Sequence, residues 1–125
     1  MHLLLDTHLF LWWLKDDRAL SLKARTLIKN ADEVYISSAS IWEAAIKVNL
    51  GKLDVDIHVL VNSIETEGFL ELPITAAHAA AVSELADYHR DPFDRILIAQ
   101  ALCEPLRFLT ADKQLKRYSE LVQLV

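Results

Sequence analysis

Short apolar runs alternate along the chain with longer stretches whose apolar residues recur every three to four positions. Five of the short runs read as strands: Leu3-Leu4-Leu5, Val34-Tyr35-Ile36, Phe69-Leu70-Glu71-Leu72, Arg107-Phe108-Leu109 and Leu121-Val122-Gln123-Leu124-Val125. The intervening periodicity predicts helices over 8–15, 21–30, 40–50, 56–67, 75–87 and 92–104, with a short helix near 112–118. Gly51 and Gly68, the only glycines, fall where helices should stop. Pro92 follows Asp91 as a first helical residue follows its cap, and Pro105 lies where a helix cannot continue.

Strands alternating with helices predict an α/β fold, a three-layer, doubly wound domain whose parallel sheet is covered on both faces. Sites in such sheets lie beyond the carboxyl ends of the strands, at the switch point of the strand order. With both glycines used as helix stops, no glycine-rich phosphate loop exists, which excludes the P-loop and dinucleotide-binding fingerprints.

A length of 125 residues fits one domain, 1–125, and 53% hydrophobic content suffices for a packed core. The net charge of -5 argues against a module that holds nucleic acid by charge alone. It leaves open an enzyme whose bound cations reverse the local field. The single cysteine, Cys103, excludes an internal disulfide and is expected to pack as a small hydrophobe. Asp6 and His8 interrupt the apolar opening, so no secretory segment or membrane span is expected, and the expected location is cytoplasmic.

Against that frame, four acids stand out. Asp6 directly follows the first strand, Glu43 begins the helix after the second, and Asp112 lies just past Thr110 after the fourth. Asp94 sits in the first turn of the helix leading into that fourth strand. Each has an ordinary helix-capping explanation. Ser40 to Glu43 and Asp91 to Asp94 both fit capping boxes, and Asp6 and Asp112 fit caps. As a set they are harder to explain, because clustered carboxylates repel unless protons or cations intervene. A hard divalent ion such as Mg²⁺ or Mn²⁺ suits an all-oxygen site, and no His/Cys cluster suggests zinc. Such a site suits phosphodiester hydrolysis by metal-activated water, with a second ion about 3.5–4 Å away steadying the leaving oxygen. Spacing alone does not choose among metal-dependent phosphoryl chemistries.

Four segments together resemble the PIN domain, and within it the VapC-type toxins of toxin–antitoxin pairs. They are Leu3-Leu4-Leu5-Asp6-Thr7-His8; Ser37 to Glu43, continued by Ile46-Lys47 and Gly51-Lys52-Leu53; His89 to Arg95 through Ala99-Gln100-Ala101; and Leu109-Thr110-Ala111-Asp112. The resemblance runs essentially end to end. It implies a five-stranded parallel sheet, a Mg²⁺- or Mn²⁺-dependent endoribonuclease acting on RNA, a homodimer and a cognate antitoxin. It carries the catalytic and metal-binding roles onto Asp6, Glu43, Asp94 and Asp112. Asp94 fits the third motif better than Asp91, which becomes a helix cap or a support to the site.

Other residues divide between site and scaffold. His89, Arg90 and Arg95 suit phosphate contacts or pairing with Asp87 and Asp91. Lys47 is expected to pair with Glu43 four residues earlier. Thr7 and Thr110 suit either orienting the acids or local capping. Trp12 and Trp42 are expected in the core and Trp13 at a partner interface; His2, His58 and His78 carry no assigned role. A DNA nuclease of the same chemistry is the nearest alternative. A phospho-receiver would want adjacent acids after the first strand and an acceptor after the third, where Thr7, His8, Pro73 and Ile74 stand instead. A haloacid-dehalogenase-type phosphatase would need an acid at His8. An inactive binding partner would have no use for intact carboxylates.

Overall fold

A computed structural model describes the whole chain, Met1–Val125. Its strands are β1 (His2–Leu5), β2 (Glu33–Ser37), β3 (Leu70–Leu72), β4 (Arg107–Thr110) and β5 (Val122–Leu124). They form one sheet in the order β3-β2-β1-β4-β5, and every neighbouring pair is parallel. Central β1 sets Leu4 opposite Tyr35 on one side and Phe108 on the other. The chain winds outward from β1 to β3, then returns to β4 on β1's other flank. The switch point therefore lies between β1 and β4.

The helices are α1 (Thr7–Lys15), α2 (Leu22–Asn30), α3 (Ser38–Asn49), α4 (Ile57–Thr66), α5 (Ala76–Ala81) and α6 (Pro92–Cys103). Strand alternation sorts the core into two layers. Leu3, Leu5, Ile36 and Leu109 pack with Leu9 and Phe10 of α1, Ala24 and Ile28 of α2, and Leu60 and Ile64 of α4. Leu4, Phe108 and Val122 face the other way, onto Leu97, Ile98 and Ala101 of α6. Helix α3 contributes to both layers, through Ala44 to the first and Ala39 to the second. The central strands β1 and β4 are buried on both faces, which is why they read as runs rather than alternations, whereas edge strand β3 exposes Leu70 and Glu71.

Gly51 and Gly68 adopt φ of 72° and 77°, as expected of left-handed helix stops. The same geometry at Asp16, with φ of 52°, ends α1 without a glycine. The expected helix over 75–87 breaks into α5 and a 3₁₀ turn at Val82–Glu84. The segment after α5 is held off the helical path by Arg95, whose guanidinium donates to the carbonyls of Val82, Ala86 and His89 and to the Tyr118 hydroxyl. The segment after β4, Lys113–Tyr118, is also 3₁₀. Cys103 is exposed at the last turn of α6 rather than packed. No helix is long and apolar enough to cross a membrane.

Candidate active site

Beyond the carboxyl ends of β1 and β4, the backbone itself ties the switch point together, because Asp6 N–H donates to the Leu109 carbonyl at 3.0 Å. Asp6 occupies the cap position of α1 but makes no side-chain capping bond. Its carboxylate instead accepts the Thr110 hydroxyl from the end of β4 at 2.6 Å. With the residue only 5% exposed, burial pushes that carboxyl above the ordinary aspartate range. The Thr110 hydroxyl and nearby His8 pull it back in part, while the Glu43 charge adds to the rise.

Glu43 reaches the same edge from α3. The expected Ser40 capping box does not form. Ser37 caps α3 instead, accepting from Ala39 N–H at 3.0 Å, which starts the helix before Ser40. Ser40 then lies inside the first turn and accepts the Thr7 hydroxyl at 2.8 Å, joining the starts of α1 and α3. Glu43 is thereby left 7% exposed with one cation, Lys47, whose Nζ lies 3.0 Å from Oε2.

Asp94 projects from the start of α6. Asp91 is the cap there, accepting from Phe93 and Asp94 N–H groups, but Asp94 makes no reciprocal bond. The Asp94 carboxylate pairs with His89 Nε2 at 2.8 Å. Burial first, then the charges of Asp6 and Asp91, push its pKa up to about 7 despite His89. Asp112 does act as a cap, accepting from Gln114 N–H at 2.9 Å, while its own N–H is held by Thr110 Oγ1. His89, Asp94 and Asp112 each offer a ligand atom, all within 4.8 Å of one another.

Of the four acids, Asp94 and Asp112 bring ligand atoms together, with His89 in the same group, while Asp6 acts on Asp94 and Glu43 on Asp6 through their charges. The Thr110 hydroxyl donates to the Asp6 carboxylate and accepts the backbone N–H of Asp112, so it makes both an acid contact and a local turn contact. His89 sits beside the third acid rather than on Asp87 or Asp91, a placement that five residues of sequence separation across a loop did not reveal. Arg95 is a backbone clamp and not a free phosphate donor. Trp42, expected in the core, is 61% exposed, with its ring edge-on to Phe93. Trp12 and Trp13 pack against the first core layer, and Trp13 Nε1–H donates to Glu67 at 2.7 Å.

Over residues 3–121 the chain matches the family model described as PIN domain. It is 30% identical over 121 residues to Ribonuclease VapC22 of Mycobacterium tuberculosis, covering 92% of this chain and 90% of that protein. Its fold is similar to that in the crystal structure of VapBC2 from Rickettsia felis bound to a DNA fragment from their promoter. The TM-score is 0.72 at 19% identity, over 100% of this chain and 98% of that one. FitAcB from Neisseria gonorrhoeae is similar at a TM-score of 0.62 and 19% identity, over 90% and 89% of the two chains.

Proposed function

The chain belongs to the PIN domain family, and from that premise we propose that it is a Mg²⁺- or Mn²⁺-dependent endoribonuclease, the toxin of a toxin–antitoxin pair. Asp6, Glu43, Asp94 and Asp112 are the residues that hold the cation and carry the reaction. The observation that carries this reading is the gathering of Asp94 and Asp112, with His89, within 4.8 Å at the switch point where buried Asp6 is held by Thr110. The fold gathers more negative charge than its own side chains neutralise. Lys47 is the one lysine paired with these acids, and it is spent on Glu43. A hard cation with oxygen ligands relieves that imbalance, so the donor set fits Mg²⁺ or Mn²⁺.

When bound, such an ion lowers the pKa of a coordinated water and offsets charge on phosphate oxygens. The chain's own groups prepare the place. Thr110 fixes the Asp6 carboxylate rotamer through its 2.6 Å hydrogen bond. The Thr7–Ser40 bond fixes Asp6 and Glu43 relative to each other by tying their helices. His89 holds Asp94 on one oxygen and leaves the other available.

The toxin assignment draws on the named relative, a ribonuclease of the VapC group, and on fold likeness to VapBC and FitAcB. A homodimer is supported by the apolar face formed by exposed Trp42 and Ile74 around Phe93. A cytoplasmic location suits a toxin that must reach cellular RNA.

The deciding experiment incubates purified protein with labelled single-stranded RNA and, separately, DNA of the same sequence. RNA cleavage that requires Mg²⁺ or Mn²⁺ and stops with EDTA is expected; full activity in EDTA would overturn the metal assignment, and cleavage of DNA alone would make this a DNA nuclease. In cells, induction of the gene alone is expected to arrest growth, and co-expression of the neighbouring small protein to restore it. Equal arrest by wild type and Asp6→Asn would remove nuclease activity as the cause.

A further inference from the structure

Beside the acids, α3 and the start of α6 enclose a cleft of about 280 Å³ lined by Glu43, Lys47, Leu50, Lys52, Asp91 and Phe93, among others. Its charges are unequally committed. Lys47 is paired with Glu43, and Asp91 spends Oδ1 on two backbone N–H groups as the cap of α6. The Lys52 ammonium is exposed, with neither an ion pair nor a hydrogen bond. Its position is set by the end of α3. Gly51, at φ of 72°, lets the chain turn back so that its N–H donates to Val48 and the Lys52 N–H donates to the Lys47 carbonyl at 2.8 Å. This is the pairing of a Schellman stop, and it folds Lys52 back over the last turn of the helix that carries Glu43.

Resting on the ribonuclease reading, we propose that Lys52 is a substrate-positioning residue, binding a backbone phosphate of single-stranded RNA that runs through this cleft toward the acids. An acidic protein that cuts a polyanion needs local positive charge along the strand's path. Lys52 supplies it where the cleft opens from Glu43, and exposed Leu50 gives apolar surface for sugar and base. A phosphate contact fixes register without reading sequence. Glycine at 51 is part of the device. A Cβ there meets nothing within 4 Å, so Gly51→Ala is opposed by backbone conformation alone.

The test measures anisotropy of a fluorescein-labelled single-stranded RNA of mixed sequence, in the cleavage-deficient Asp6→Asn background across a salt series. Lys52→Gln is expected to weaken binding about three- to fivefold. It is also expected to lower the log–log salt slope by about 0.7, the share of one single-strand phosphate. Lys52→Arg is expected to restore both. In the wild-type background Lys52→Gln is expected to raise KM with kcat unchanged, the signature of lost ground-state and transition-state binding alike. Unchanged affinity and slope, with wild-type protein still cleaving RNA, would overturn the phosphate contact while leaving the ribonuclease reading intact. Failure of wild-type protein to cleave RNA would instead sink the ribonuclease reading. Weaker capture of the neighbouring antitoxin by Lys52→Gln, with RNA affinity unchanged, would reassign the cleft to a protein partner and overturn the proposal.

Discussion

Helix α6 carries a carboxylate–imidazole pair at each end, and the two pairs live in opposite electrostatic conditions. At the carboxyl end, Glu104 meets His78 Nε2 at 2.5 Å. His78 is 2% exposed, yet both ring nitrogens are occupied, because Nδ1 accepts Thr75 N–H at 3.0 Å while Thr75 Oγ1 accepts His78 N–H. Gln100 Oε1 nearby is the buried atom left without a partner. At the amino end, His89 meets Asp94 at 2.8 Å, but Asp94 also feels Asp6 and Asp91, and its pKa rises to about 7. At one end the histidine and glutamate satisfy each other and the helix start, leaving only the neutral Gln100 Oε1 without a partner. The other is a cluster whose charges the fold does not balance. Burial of polar groups alone therefore does not distinguish the two ends; residual charge imbalance does.

Breaking each end in turn separates the two roles. Asp94→Asn is expected to lower RNA cleavage at least about 100-fold, since it removes an oxygen donor from the cation site. The fold, followed by circular dichroism, is expected to survive, and wild-type turnover would reduce Asp94 to a helix-start residue. His78→Ala is expected to do the reverse. It opens a cavity and leaves Thr75 N–H without its acceptor, costing about 3 kcal/mol of stability read from the denaturant midpoint. Cleavage per folded molecule is expected to stay near wild type. A large loss of turnover in correctly folded His78→Ala protein would break the distinction between the ends.

The same contrast explains what was legible in the sequence. The sheet was, because Leu3–Leu5 and Phe108–Leu109 are apolar on both faces, as interior strands must be. Asp6, Asp94 and Asp112 were picked out because position after a strand or at a helix start is a chain-local property; Glu43, expected to begin its helix, lies in the second turn because Ser37 starts α3 earlier. What long-range packing decides was not legible. Trp42 was expected inside, yet α3 rotates it outward once Ala39 and Ala44 serve as the buried positions against the two core layers. Ser40 looked like a cap until Ser37 took that role and freed it for Thr7. His78 has no motif spacing because its partners, Thr75 and Glu104, stand three and 26 residues away. Arg95 could not be known as a clamp on Val82, Ala86 and His89 carbonyls without the loop's path.

The smallest expected effect concerns pH, and it sharpens the account of the amino end. In metal-free protein the folded state holds the Asp94 proton up to about pH 7, whereas an unfolded aspartate releases it near 3.8. Between those values the folded state binds more protons than the unfolded one. Stability from this group is therefore complete below the unfolded value and is lost as pH rises through about 7. In EDTA, wild-type stability is expected to fall by about 2 kcal/mol between pH 5 and pH 8, an order-of-magnitude figure from one displaced aspartate. Asp94→Asn has no such proton to lose, so its midpoint is expected to change less over that interval and to exceed the wild type's at pH 8. Mg²⁺ is expected to remove much of the wild-type slope, because the cation takes the proton's place in offsetting Asp6 and Asp94. Parallel pH profiles for wild type and Asp94→Asn in EDTA would show that the charge at this edge is already balanced, and the main argument for a cation there would be lost.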